Sequence, residues 1–211
     1  MKEIRYTLLT DGSSDKALLP ILSWLFYEHC PRYAIQNQWA DLGRLPIPPK
    51  KLQDKIRTSV ALYPCDLLFV HRDAEGMSWE TRAGEIKQAL IDTARPPAVC
   101  VVPVRMTEAW LLFDEIAIRK AAGNPHGNQP LELPVINNIE SLPDPKKILY
   151  DLLRLASGTN NKRRLKRLAV NSLASRVTKF TPSFAPLRKL AAFRNLEEEL
   201  LEIITDQDWN Y

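Results

Sequence analysis

The chain has little of the residue types that build the commonest small metal and redox sites. Its 211 residues include 3 cysteines and 3 histidines. Cys30, Cys65 and Cys100 are odd in number and far apart, and no Cys-x-x-Cys pair occurs. This pattern argues against both a disulfide framework and a cysteine zinc ribbon.

Long apolar runs and common nucleotide motifs are also missing. No stretch reaches the ~18 apolar residues of a membrane span, and the first residues lack the apolar core of a signal peptide. We therefore expect a cytoplasmic protein. Neither a Gly-x-x-x-x-Gly-Lys-Ser/Thr loop nor a Gly-x-Gly-x-x-Gly turn occurs, so nothing indicates a nucleotide motor or a dinucleotide site. A Gly-x-Ser-x-Gly elbow is absent as well.

Composition is typical of a globular protein, with 45% hydrophobic and 26% charged residues. The length suits one large domain, or a core with an appendage. A net charge of +4 makes the chain mildly basic. That charge alone is a weak indication of a polyanionic partner.

Strand-like and helix-like segments alternate over the first part of the chain. The pattern predicts strands at 4–9, 66–70 and 98–102, and helices at about 13–26, 49–62, 79–95 and 107–122; a further strand within 33–42 is left open. This order indicates an α/β fold with a mostly parallel sheet flanked by helices. We divide the chain into an α/β core (1–122), a linker loop (123–143) and a basic helical C-terminal extension (144–211) packed on the core.

Four acids stand where predicted strands end: Asp11, Asp73, Glu75 and Glu108. The carboxyl ends of parallel strands share one edge of the sheet, so these side chains can converge there. Two carboxylates ~4 Å apart repel by roughly 4 kcal/mol at an effective dielectric near 20, so a cluster requires a cation. Oxygen ligands favour Mg²⁺ or Mn²⁺. Alternatively, Arg72 and Arg105 neutralise the acids.

Residues around these acids suggest supporting roles. If the backbone stays extended after the second buried strand, His71, Asp73 and Glu75 share one side. We expect His71 to form a hydrogen bond to a ligand rather than to bind metal itself. Gly12 and Ser13 can lie against a phosphate at the helix N-terminus, with Asp15 in a supporting role. The alternative is a tight turn with a serine cap, in which Asp15 stabilises the helix as a first-turn acid.

The C-terminal part carries a one-sided charge. Eleven basic residues and no acids lie between Leu152 and Leu196. The densest group predicts contacts to nucleic-acid phosphates; it comprises Lys162, Arg163, Arg164, Lys166 and Arg167. The alternative is a solvated helix face balanced by later acids, namely Glu197, Glu198, Glu199 and Glu202.

Two short motifs resemble the Toprim pattern, in which one strand ends in Glu-Gly-x-Ser/Thr-Asp/Glu and a later one in Asp-x-Asp. Here they read Asp11-Gly12-Ser13-Ser14-Asp15 and Asp73-Ala74-Glu75. The chain is most similar to small stand-alone bacterial Toprim-like proteins of the DUF4276 type, related to nucleases of the overcoming-lysogenization-defect family. Those proteins share a third segment like Glu108-Ala109-Trp110-Leu111-Leu112 and an Asp-Pro turn like Asp144-Pro145. Asp11 and Glu75 depart from the pattern in length but keep the charge.

The resemblance implies a divalent-metal-dependent nuclease acting on DNA or RNA, as in bacterial phage-defence systems. Asp73 and Glu75 would hold Mg²⁺ or Mn²⁺, Glu108 would be a further ligand, and Asp11 a ligand or general acid/base. An ATPase partner protein is also implied. Two alternatives remain open: a catalytically degenerate subunit that binds nucleic acid or a protein, and a small-molecule phosphohydrolase.

Overall fold

A four-stranded, all-parallel sheet forms the centre of the protein. The computed structural model describes residues 2–91 and 93–210. The strands are β1 (Lys2–Leu9), β2 (Tyr33–Trp39), β3 (Leu67–His71) and β4 (Ala98–Val101), in the order β2-β1-β3-β4. The predicted α/β fold is confirmed, and the segment left open in the sequence contains β2.

Eight α-helices surround this sheet within the described residues. They are α1 (Leu18–His29), α2 (Leu52–Leu62), α3 (Trp79–Leu90), α4 (Glu115–Ala121), α5 (Pro145–Ala156), α6 (Lys162–Arg167), α7 (Val170–Phe180) and α8 (Ala191–Asp206). Short 3₁₀ turns add Ser13–Ala17 before α1 and Thr107–Leu111 after β4. In the described ranges, 2–91 and 93–210, no helix has the length and apolar character needed to cross a bilayer.

Both faces of the sheet are covered by apolar side chains, as expected for parallel strands. Tyr6 belongs to one face, where its ring stacks on Phe26 at 5.4 Å and meets Phe69 edge-on at 5.2 Å. Leu68 and Val70 belong to the opposite cluster, which includes residues of α2 and α3. Alternation along each strand therefore builds two cores, with the sheet between them.

The C-terminal helices extend the first of these cores. Helix α7 packs against α4 and α5, and α8 packs against β4. Trp110 and Phe193 are both fully buried, with their ring centroids 5.3 Å apart. The helical extension is thus joined to the sheet by a continuous apolar cluster.

The predicted helix over 107–122 is wrong in its continuity. A 3₁₀ turn, Thr107–Leu111, comes first, and α4 begins only at Glu115. The division has a local cause, because the Asp114 carboxylate accepts a hydrogen bond from the Ala117 amide at 2.9 Å and so caps a new helix. The linker 123–143 likewise contains a short 3₁₀ turn, Ile136–Ser141.

Strand order identifies where a site is expected. After β1, the chain forms β2, which pairs with one edge of β1. It then returns to form β3, which pairs with the other edge of β1. Neighbouring connections therefore diverge at the carboxyl ends of β1 and β3, and this divergence opens a crevice. The segments that follow β1, β3 and β4 all begin at this edge.

Candidate metal centre

Three side chains with metal-ligating atoms meet in this crevice. Asp15 comes from the 3₁₀ turn after β1, His71 is the last residue of β3, and Asp73 follows it by two residues. Each offers one ligand atom, and these atoms all lie within 4.8 Å of one another. Asp15 and His71 are buried, whereas Asp73 is partly open to solvent. We call these three residues the Asp-His-Asp group.

Thr107, at the start of the turn after β4, holds the group together. Its backbone N–H donates to Asp73 Oδ1 at 3.0 Å, and its hydroxyl donates to Asp15 Oδ1 at 3.2 Å. The same hydroxyl oxygen lies 3.2 Å from His71 Nε2. One buried threonine therefore orients all three potential ligands.

This network assigns the proton on the His71 ring. Nε2 lies 3.2 Å from Asp73 Oδ1, which only accepts, and 3.2 Å from the Thr107 oxygen, whose proton goes to Asp15. Nε2 is therefore the protonated nitrogen. In the neutral ring Nδ1 then carries the lone pair, and this atom is buried without a hydrogen-bond partner among residues 2–91 and 93–210.

That lone pair faces a second acceptor. His71 Nδ1 and Asp15 Oδ2 are 3.8 Å apart, too far for a hydrogen bond. A cation between these two buried atoms would be attracted both by the Asp15 carboxylate and by the imidazole lone pair. With ligand bonds of about 2.0 to 2.2 Å, a single ion can contact both atoms.

The pKa of Asp15 reflects its burial beside other acids. Burial raises the pKa of the Asp15 carboxyl, and the nearby charges of Asp73 and Glu108 raise it further. Their effect exceeds the opposing effects of His71 and Thr107. Within the described part of the chain, no lysine or arginine forms an ion pair with Asp15 or Asp73.

Asp11 lies outside this group, although the sequence places it among the ligands. Its two carboxylate oxygens accept from Lys55 Nζ at 2.6 Å and from Arg72 Nε at 3.3 Å. Burial raises the pKa of Asp11, but these two cations more than offset that effect and hold the pKa below its usual value. The charge of Asp11 is therefore already balanced.

Glu75 is also directed away from the group. The expectation that His71, Asp73 and Glu75 share one side required an extended backbone, and Glu75 instead adopts a left-handed φ of 58°. Its side chain is 78% exposed and lies 3.5 Å from the Arg82 guanidinium. Arg105 has a similar φ of 68° and accepts the Glu75 amide at its carbonyl. This paired bend redirects Glu75 to the surface.

Glu108 takes an intermediate position. It is buried beside Thr107, and its Oε1 lies 2.9 Å from Lys146 Nζ on α5. It contributes no atom to the Asp-His-Asp group, but it lines the adjoining pocket. Gly12 and Ser13 line the same pocket. A Cβ on Gly12 would stand 3.4 Å from Asp15 Oδ2, so glycine leaves room above this carboxylate.

Helix α6, which carries the densest basic cluster, is exposed apart from the half-buried Leu165. None of its residues is buried, and the Asn161 side chain caps its first turn. The α6 cations form no ion pairs with acids of residues 2–91 and 93–210. Two of the acids suggested as balancing partners are engaged elsewhere, since Glu197 pairs with Arg188 and Glu199 with Lys87.

Sequence reasoning gave Asp15 a supporting role and missed Thr107 as the organising residue. A signal for Asp15 was present. Leu18 and Leu19 lie three and four residues after it, so helical periodicity places Asp15 on their buried face. No comparable signal marks Thr107, because its contacts join segments that are 34 to 92 residues apart in sequence.

Comparison with known proteins adds no identification. No family model matches the chain, and neither a curated protein nor a solved structure gives a significant match.

Proposed function

We propose that this protein is a divalent-metal-dependent phosphodiester hydrolase acting on nucleic acid, with its metal at the Asp-His-Asp group. One observation carries the proposal: the buried Nδ1 of His71 faces the Asp15 carboxylate at 3.8 Å and has no hydrogen-bond partner in the described ranges. A buried polar atom without a partner costs roughly 1 to 3 kcal/mol. A metal bound there would remove that cost.

The ligand types favour Mn²⁺ among the hard cations. Mg²⁺ binds mainly carboxylates and water, whereas an imidazole nitrogen suits transition metals. Two carboxylates and one imidazole therefore fit Mn²⁺ better than Mg²⁺. This assignment modifies the sequence expectation, in which Asp73, Glu75 and Glu108 were ligands and Asp11 was a ligand or general acid/base. His71 and Asp15, which were expected in supporting roles, become ligands.

Hydrolysis here would follow the usual course for phosphodiesters. Water attacks phosphorus, the bond from phosphorus to one ester oxygen breaks, and the departing oxygen takes up a proton. A metal held by Asp15, His71 and Asp73 would activate a water and polarise the phosphate. Thr107 keeps Asp15, His71 and Asp73 oriented, and Gly12 leaves space for the phosphate above Asp15.

The charge of α6 supports a nucleic-acid substrate. Its five cations are exposed and lack acidic partners within the described residues. Neutralising phosphates with lysine and arginine releases counterions, so binding through α6 should weaken steeply with added salt. A link to phage defence and an ATPase partner remain proposals that rest on the Toprim resemblance alone.

A catalytically inactive nucleic-acid-binding subunit is the second candidate, and Asp11 favours it. Toprim proteins usually carry a glutamate at this position. Here the shorter Asp11 is held by Lys55 and Arg72 with a lowered pKa, so it is ill suited to exchange protons near neutral pH. On this alternative, the protein binds strands without cutting them.

A cleavage assay separates the two candidates. Labelled DNA and RNA oligonucleotides would be incubated with Mn²⁺, with Mg²⁺ and with EDTA, using the wild type, Asp73→Asn and the control Asp206→Asn. Asp206 is an exposed acid at the end of α8. We expect Mn²⁺-dependent cleavage that Asp73→Asn abolishes and Asp206→Asn leaves intact. Binding without cleavage at any metal concentration would establish the inactive subunit instead, and activity confined to mononucleotide esters would indicate a small-molecule phosphohydrolase.

A further inference from the structure

Most of the pocket beside the Asp-His-Asp group has no role in the function proposed so far. It has a volume of about 520 Å³ and lies between the core and the helical extension. Residues 12–14 and the turn after β4 form one wall, and α5 and α7 form the other. Thr107 belongs to this lining and also contacts all three members of the group, so the pocket opens directly beside the candidate metal.

The lining is polar but electrically balanced. Its one cation and one acid, Lys146 and Glu108, form an ion pair at 2.9 Å. Most other polar contributors are uncharged hydroxyls and an amide, supplied by Ser13, Ser14, Asn171, Ser172 and Ser175. Such groups suit the edges of a base and the hydroxyls of a sugar better than a run of phosphates, which calls for several cations.

The pocket also has an aromatic component. Tyr150 lines it from α5, and the Lys146 ammonium lies 5.9 Å from the centre of its ring. Aromatic rings of this kind stack on unpaired bases in proteins that bind single strands. Pockets of about 300 to 1,000 Å³ take ligands of drug size, and one nucleotide falls within that class.

We propose that this pocket receives one unpaired nucleotide of a single-stranded substrate and so presents the adjoining phosphodiester to the Asp-His-Asp group. A base within a duplex is stacked and paired, and it enters a pocket only after it is flipped out, at a cost in free energy. A single strand avoids that cost. The substrate class is therefore single-stranded DNA or RNA, and this inference rests on the proposed function for its link to cleavage.

The position of α6 next to the pocket supports this assignment. Asn171 lines the pocket only four residues after Arg167, the last residue of α6. Their Cα atoms are at most about 15 Å apart, since consecutive Cα atoms are separated by about 3.8 Å. A strand with one nucleotide in the pocket would thus place its next phosphates near the exposed cations of α6.

Binding measured in EDTA tests the pocket without metal or cleavage. Labelled 12-nucleotide single strands of DNA and of RNA would be compared with the 12-base-pair DNA duplex, by fluorescence anisotropy. All three probes can contact α6, so the difference between them reports the pocket. We expect at least one of the single strands to bind at least tenfold more tightly than the duplex, and the two single-stranded arms distinguish DNA from RNA.

Substitutions in the pocket then test whether the pocket causes the preference for single strands. The double variant Asn171→Leu/Ser172→Leu would fill the pocket from the exposed first turn of α7, and Tyr150→Ala would remove the ring. Asn160→Leu makes the same asparagine change at an exposed loop position outside the pocket. Both pocket variants should lower single-strand affinity about tenfold and leave duplex affinity unchanged, while Asn160→Leu behaves as the wild type.

The outcomes keep the two proposals apart. Equal binding of single strand and duplex by the wild type would overturn the pocket assignment, as would wild-type strand affinity in both pocket variants. Calorimetric titration of Mn²⁺ into the Asn171→Leu/Ser172→Leu protein should match the wild type. If Mn²⁺ fails to bind either protein while the strand preference persists, the metal site is refuted and the single-strand pocket stands.

Discussion

Asp11 and Asp15 lie four residues apart after β1, yet their electrostatic surroundings are opposite. Asp11 is exposed and held by two cations, which lower its pKa. Asp15 is buried, faces His71 and other acids, and has a raised pKa. Asp73 and Glu75 repeat the contrast after β3, because Asp73 lies beside His71 while Glu75 turns outward to Arg82.

This contrast separates acids that already have a counter-cation from acids that still require one. A carboxylate with a lysine or arginine partner gains little from a metal, since binding the ion must first break the existing pair. An acid that has only other acceptors beside it gains the full electrostatic attraction to the metal ion. We therefore propose a structural role for the outer acids, Asp11 and Glu75, and metal binding for the inner acids, Asp15 and Asp73.

The largest expected effect is on metal affinity. Asp15→Asn and Asp73→Asn each keep the shape of the side chain but remove its charge, so we expect Mn²⁺ affinity to fall at least about 100-fold, or about 2.8 kcal/mol. The outer-acid changes Asp11→Asn and Glu75→Gln should alter it less than about threefold. Isothermal titration calorimetry of the four variants measures this, and a loss at Asp11 or Glu75 equal to that at Asp73 would break the contrast.

Glu197 extends the comparison to a cation-paired acid outside the candidate site. It accepts from Arg188 at 2.7 Å and lies 2.7 Å from His29 Nε2, so it joins α8 to α1. Glu197→Gln should cost about 2 to 3 kcal/mol of unfolding free energy, because a largely buried charge network loses its anion. Urea denaturation measures this, with the exposed neighbour change Glu198→Gln as the control.

The pH dependence of this effect has a defined sign. Burial raises the pKa of Glu197, but Arg188 and His29 more than offset that and leave it below the usual value. The stabilisation is therefore present above the unfolded-state pKa, about 4.3, and is lost as pH falls through the lower folded-state pKa. The stability difference between wild type and Glu197→Gln should shrink as pH falls below about 4. A difference that grows as pH falls below about 4 would contradict this assignment.

A smaller effect is expected from the residue that orients the inner acids. Thr107→Val keeps the side-chain volume and the backbone hydrogen bond to Asp73 but removes the hydroxyl shared by Asp15 and His71. Loss of such a supporting contact typically lowers metal affinity 10- to 100-fold, and we expect about tenfold here because one bond remains. Thr107→Ser should restore wild-type affinity in the same titration. Unchanged affinity in Thr107→Val would show that the inner acids need no such support.

Much of the fold could be predicted from local sequence patterns. The continuous apolar run before His71 predicted a strand covered on both faces, and β3 is buried along its whole length. Asp144-Pro145 predicted a helix start, and the Asp144 carboxylate does cap α5 by accepting from the Lys147 amide. Such signals are local because capping and periodicity act within a few residues.

The candidate site could be predicted from the sequence only in part. The edge of the sheet and the involvement of Asp73 and His71 followed from strand order and spacing. The outward turn at Glu75 did not, because it depends on the left-handed backbone at Glu75 and Arg105 and on a hydrogen bond between strand-end loops. The cations that neutralise Asp11 come from α2 and from the residue after β3, 44 and 61 positions away.

The amino-acid sequence by itself determined the alternation of strands and helices, the edge where acids gather and the basic character of α6. These properties depend on periodicity, capping and composition, which operate over short distances along the chain. Only the tertiary structure decided which acids have cation partners, which nitrogen of His71 lacks one, and that a pocket of nucleotide size opens beside them. Charge pairing and cavities depend on distances in space between segments that are far apart in sequence. Local sequence patterns do not determine those distances.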